Sequence, residues 1–67
     1  MTAELEEILN VLKENLMVLE MAEVESLIRE ARLQYLTYHL YDKWTVDRLA
    51  EYGITLEMLN RYCKENK

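Results

Sequence analysis

Two apolar stripes run along the first two-thirds of the chain, and they differ in phase. Leu5, Leu9, Leu12, Leu16 and Leu19 recur at spacings of four, three, four and three. Met17, Met21, Val24, Ile28, Ala31, Tyr35 and Tyr38 repeat the same alternation on another face. Alternating steps of three and four are the period of a helix packed against another helix. A shift of phase means that one straight rod with one buried face does not fit this segment. The chain bends, or it buries two faces.

The pattern and its punctuation predict four helices. Helix 1 is expected over about 2–14, with Thr2 as N-cap and Glu4 in the first turn, where negative charge suits the helix dipole. Asn15 is placed to end it, because Asn tolerates the left-handed conformation found just past helix ends. A break at Glu20–Ala22 fits the phase shift too, but Asn15 is preferred. Helix 2 then runs over about 17–42, some 25 residues or about 37 Å. Thr45 reads as the N-cap of helix 3 (46–52), with Trp44 and Leu49 as its hydrophobic staple. Gly53 ends that helix in the left-handed conformation, and Ile54 returns to Leu49 in a Schellman arrangement. Thr55 caps helix 4 (56–65), with Ile54 and Leu59 as a second staple. Residues 1–67 therefore read as one all-α domain, a small bundle of three to four helices with one long central helix, completed by dimerisation. Leu5, Leu9, Leu12, Leu16, Leu19, Met21, Val24 and Ile28 are expected to form the dimer or core seam.

Composition sharpens this expectation. At 67 residues, a chain buries only about 60% of the surface that its unfolded form exposes. Small folds recover stability through disulfides, metals, regular helix packing or oligomerisation. Cys63 is the only cysteine and His39 the only histidine, so an internal disulfide is excluded and a His/Cys zinc cluster is not expected. A lone cysteine suits a reduced, cytoplasmic protein. The apolar fraction of 51% argues against disorder and for more apolar surface than one protomer hides. No run approaches the roughly 18 apolar residues of a membrane span. Glu4, Glu6 and Glu7 near the start do not suit a signal peptide.

Charge is unevenly placed. Residues 1–42 carry nine acids against Lys13, Arg29 and Arg32, a balance of −6, and residues 43–67 carry five bases against four acids, +1. A nucleic-acid binder is expected to show a basic face, because phosphate neutralisation supplies much of its affinity. The acidic body argues instead for a protein partner with a basic surface, since complementary fields speed encounter.

Among candidate chemistries, the helix 3–Gly53–helix 4 unit has the outline of a helix-turn-helix, offering Glu57, Asn60, Arg61 and Lys64 to DNA. Its first helix is only about two turns long, however, and Ala50 precedes Gly53 by three residues rather than the usual four. A helical hairpin that closes the core explains the same pattern. The aromatic cluster is the stronger binding candidate: Tyr35, Tyr38, His39, Tyr41 and Trp44 fall within ten residues, with Arg32 one turn before. Tyr, Trp and Arg anchor many interfaces, since each gives a large contact area and a polar tip. Cys63, near Arg61 and Lys64, has no base placed beside it by sequence, and Glu pairs such as Glu6/Glu7 and Glu23/Glu25 suit a solvated face. No catalytic, metal or cofactor motif is present, and enzyme activity is not expected. Met17, Met21 and Met58 are spaced as core or seam residues, a role that flexible methionine fills well.

The segment Leu49-Ala50-Glu51-Tyr52-Gly53-Ile54-Thr55-Leu56-Glu57-Met58-Leu59 resembles the short segment that closes the oligomerisation region of histone-like nucleoid-structuring (H-NS) proteins. Ile8-Leu9-Asn10 is similar to the opening of their first helix. Together these residues cover about a fifth of the chain. The sequence has no counterpart of that family's C-terminal DNA-binding domain. The resemblance thus implies a truncated, dimer-forming modulator that binds H-NS-like partners.

These readings converge on a small acidic cytoplasmic regulator. It would form a homodimer and dock on another protein, above all a DNA-binding transcription factor, and inhibit or redirect it as an anti-activator does. Arg32, Tyr35, Tyr38, His39, Tyr41 and Trp44 would anchor the partner. Such regulators are commonly encoded by phages and other mobile elements. Two other functions compete: a structural oligomerisation module, and a compact DNA-binding protein using helix 4.

Overall fold

The computed structural model describes residues 3–65. Among them lie four helices and no strand: α1 (Ala3–Asn15), α2 (Val18–Tyr38), α3 (Lys43–Glu51) and α4 (Leu56–Glu65). The expected Thr2 cap lies outside the described residues. α2 packs against α3 and α4, and α1 closes over α4 and α2. The radius of gyration is 11.2 Å, close to the roughly 11 Å expected of a compact chain of this length. The protomer therefore closes a core of its own.

The first bend falls beside Asn15, at Leu16–Met17, and Glu20–Ala22 run unbroken inside α2. The physical device differs from the expected one. Among non-glycine described residues only His39 has a positive φ, so Asn15 is not left-handed. Its side-chain amide instead donates to the Val11 carbonyl at 2.7 Å. Met17 is extended, with φ −71° and ψ 161°. Its N–H donates to the Glu20 carboxylate at 3.2 Å, the charged half of a capping box.

The reset phase sorts the two stripes. Leu5 and Leu9 from α1 meet Met21, Val24, Leu27, Ile28 and Ala31 from α2 in one buried cluster, closed by Leu49, Ile54 and Leu59. Leu12 and Leu16 pack on its edge. Leu19 does not join them: it is 85% exposed, because the bend before it rotates its position away from the α1 stripe. Cys63 is fully buried on α4.

α2 ends at Tyr38, four residues before the expected end at Asp42. His39 takes the left-handed conformation (φ 59°) and donates its N–H to the Tyr35 carbonyl at 2.8 Å. The early stop has a tertiary cause. The Gln34 side-chain oxygen accepts the Asp42 N–H at 2.7 Å, and its amide nitrogen lies 3.4 Å from Thr45 Oγ1. The chain is drawn back against α2, and α3 starts at Lys43 with Asp42 as N-cap. Thr45 is thus no cap but a buried residue of the first turn. Trp44 is no staple; it projects into solvent.

The α3–α4 corner forms by local chemistry. Gly53 has φ +84°, a conformation that glycine adopts without steric cost. Its N–H donates to the Ala50 carbonyl at 3.0 Å, and the Ile54 N–H donates to the Leu49 carbonyl at 3.0 Å. These two bonds make a Schellman motif, and Leu49 and Ile54 are both fully buried. Thr55 Oγ1 accepts the Met58 N–H at 3.3 Å and so caps α4. Two partly exposed ion pairs tie the layers together. Arg48 bridges Glu23 on α2, and Arg61 bridges Glu4 on α1.

Candidate protein-docking surface

The turn from α2 to α3 gathers most of the aromatic residues singled out in the sequence. Along a continuous helix Tyr35 and Tyr41 would sit about 240° apart. Because α2 stops at Tyr38, Tyr41 folds back and stacks on Tyr35, with ring centroids 5.8 Å apart and planes inclined by 22°. His39 meets Tyr35 edge-on, at 5.6 Å and 87°. Tyr35 and Tyr41 are half-buried, and His39 is exposed. Beside them Tyr38 is 71% exposed and Leu40 is 72% exposed.

Two shallow concavities flank Leu40. One is lined by Glu30, Gln34, Tyr38, Tyr41 and Asp42 together with Leu40. The other is lined by His39, Tyr41, Val46, Leu56 and Asn60 together with Leu40. The first carries two carboxylates, Glu30 and Asp42, and no basic group. A side chain entering it would gain from a cationic tip and an apolar stem, as Arg and Lys provide.

Not every expected anchor joins this corner. Trp44 is 61% exposed but lines neither concavity. Arg32 lines a separate groove with Arg29, Leu33, Leu36 and Tyr62. Conversely, Leu40, Val46 and Leu56 belong to the surface although the sequence does not single them out. The signal for Leu40 is an apolar residue in what periodicity reads as continuous helix. Gln34 positions the whole turn, and nothing in the spacing of apolar residues marks it.

Tyr41 carries an unusual group. Its hydroxyl is buried and has no hydrogen-bond partner among the described residues. Burial lifts the phenol above its ordinary value of 10.0, and the adjacent Cys63 thiol adds to the rise without meeting hydrogen-bond geometry. A raised phenol favours the neutral form when folded. That contribution is complete below about pH 10 and is lost as pH rises beyond it. Tyr41→Phe removes an unsatisfied buried hydroxyl, so it is expected to be neutral or stabilising by up to about 1 kcal/mol at pH 7. Its advantage over the parent should widen above pH 10, as read by urea midpoints at both pH values. A loss of more than about 1 kcal/mol at pH 7 would mean that the hydroxyl has a partner.

Arg61, offered above to DNA, is engaged by Glu4 and lies 3.6 Å from Glu57. Among the described residues no three His, Cys, Asp or Glu side chains are grouped to hold a metal ion. No described helix is long and apolar enough to cross a membrane. Comparison with protein-family models, with curated proteins and with solved structures finds no match to this chain. The likeness to H-NS proteins therefore rests on Ile8–Asn10 and Leu49–Leu59 alone. In the second of these segments the residues serve the Schellman turn and the Thr55 cap.

Proposed function

We propose that the protein is a small acidic regulator of the cytoplasm that works by stoichiometric binding. It acts as a homodimer, docks on a DNA-binding transcription factor through the α2–α3 corner, and occludes the factor's basic surface. The observation that carries this reading is the corner itself. Tyr38 and Leu40 stand out beside Tyr41 stacked on Tyr35, with His39 edge-on to Tyr35. Rigid, amphipathic aromatic groups of this kind dominate binding energy because little conformational entropy is lost when they are covered. The carboxylates of Glu30 and Asp42 supply the charge that a basic partner needs. The further acids on α1 and α2 steer its approach. No step of this mechanism is catalytic, and none calls for a cofactor.

Tyr38→Ala is expected to weaken the partner complex by more than about 1 kcal/mol while the helical circular-dichroism signal and the urea midpoint stay unchanged, since Tyr38 is largely exposed. The experiment is affinity capture from lysate of cells that encode the protein, with parent and variant side by side over a salt series. A stoichiometric DNA-binding protein retained by the parent, released by salt and lost with Tyr38→Ala supports the reading. Equal retention by both sinks it.

A structural oligomerisation module is the second reading. It would place Tyr38, Leu40 and Trp44 between protomers, so that the same capture recovers only further copies of the chain.

A further inference from the structure

A second seam with the period of helix packing lies on the outer face of α2. Leu19, Ala22, Ser26, Arg29, Leu33 and Leu36 follow one another at steps of three, four, three, four and three. Leu19, Leu33 and Leu36 are exposed in the protomer, at 85%, 61% and 45%. Core-facing Met21, Val24, Ile28 and Ala31 occupy the other side of the same helix. A sustained three–four alternation is what a helix carries when it packs along another helix, and no helix of the protomer covers these leucines.

The occupant follows from the reciprocal spacing of the stripe and from its charge. We propose that a second copy of the chain covers this stripe, with the two α2 helices antiparallel across a two-fold axis. This rests on the dimeric reading given above, and it supplies the interface that Leu5, Leu9, Met21, Val24 and Ile28 do not, since those residues are spent in the protomer core. An antiparallel register pairs Leu19 with the partner copy's Leu36, Ala22 with Leu33 and Ser26 with Arg29. Each of the six residues then has a reciprocal mate, and Ala22 and Ser26 each meet a larger one, so the helices approach closely. Glu25 lies on the flank of the stripe. In this register it comes beside Arg29 of the other copy, twice by symmetry. Neither Glu25 nor Arg29 has an ion-pair partner among the described residues of its own protomer. A parallel pairing would set Arg29 against Arg29 and bring Glu25 beside Glu30 of the other copy, and like charges opposed in that way are unfavourable. Charge therefore selects the antiparallel arrangement.

The arrangement has a functional consequence. The two Tyr38 corners come to opposite ends of the helix pair, about 32 Å apart along its axis. Dimeric helix-turn-helix proteins hold their two reading helices about 34 Å apart. A dimer built on this seam could engage both halves of such a partner at once.

The test uses charge reversal and mixing, read by sedimentation equilibrium. Wild type is expected to be a dimer. Glu25→Arg alone and Arg29→Glu alone should each raise the dimer dissociation constant by about tenfold or more. An equimolar mixture of the two variants should recover wild-type association, because the arginine introduced at position 25 of one chain then meets the glutamate introduced at position 29 of the other. Positions 25 and 29 within one chain become like-charged in either variant and remain so on mixing, so recovery reports only on contacts between chains. Both sites are exposed, and circular dichroism checks that each variant folds. A monomeric wild type would overturn the dimeric reading altogether. A dimeric wild type whose two charge variants associate equally well would overturn this seam and leave the dimer standing.

Discussion

Leu59→Ala should abolish most of the folded population in mild urea, whereas Leu19→Ala should scarcely move the midpoint. Leu59 is fully buried where α4 closes on the core. Truncating a buried leucine costs about 2–5 kcal/mol, from lost transfer energy and the cavity left behind. A chain of 67 residues has a total stability of only about 3–10 kcal/mol, so one such cavity consumes a large share. Leu19 belongs to the leucine stripe of the sequence, but it is exposed in the protomer. Its truncation should cost less than about 0.5 kcal/mol under conditions where the chain is monomeric. Urea titrations followed by circular dichroism at low concentration read both values. Similar midpoints for the two variants would mean that the bend at Leu16–Met17 is misplaced and that Leu19 is buried with Leu5 and Leu9.

Gly53→Val is expected to cost about 1–3 kcal/mol of stability. Nothing lies within 4 Å of where a Cβ would stand, so the cost is one of backbone conformation alone. At φ +84° a β-branched residue is strongly disfavoured. Relaxing the strain would give up the two bonds from the Gly53 and Ile54 N–H groups to the end of α3. Ile54 would leave the core with them. His39 offers a control at the other left-handed position. His39→Gly relieves a backbone cost of about 1 kcal/mol and gives up the edge contact to Tyr35, so its midpoint should stay near that of the parent. A Gly53→Val variant as stable as the parent would mean that the Schellman turn does not hold α3 against α4.

The contrast between these two turns shows which parts of the fold are legible in the sequence. The α3–α4 corner uses caps and staples whose partners lie within six residues of one another, so Leu49, Gly53, Ile54, Thr55 and Leu59 announce it. The α2–α3 corner depends on Gln34 reaching across the turn to Asp42 and Thr45. No local rule marks a mid-helix glutamine as the residue that ends its own helix and starts the next. Hence periodicity carries helix 2 on to Asp42 and leaves Thr45 reading as a cap. Periodicity identifies a helix face that packs, but not what it packs against. The same alternation of three and four describes the Met21–Ala31 core face and the outer Leu19–Leu36 stripe. For the candidate surface, composition points to the stretch of chain that forms the corner. It does not reveal that Tyr41 turns inward onto Tyr35 while Leu40 turns out, because that depends on where α2 ends.

The proposed function requires that the Tyr38–Leu40 corner meet another protein. The direct measurement is site-specific photo-crosslinking in cells that encode the chain, with benzoylphenylalanine in place of Tyr38 and, as the comparison, in place of the exposed Glu7 on α1. The expected result is a single covalent adduct from position 38 to a DNA-binding protein, absent from position 7. Adducts from position 38 to a second copy of the chain alone, or the same adducts from both positions, would contradict it.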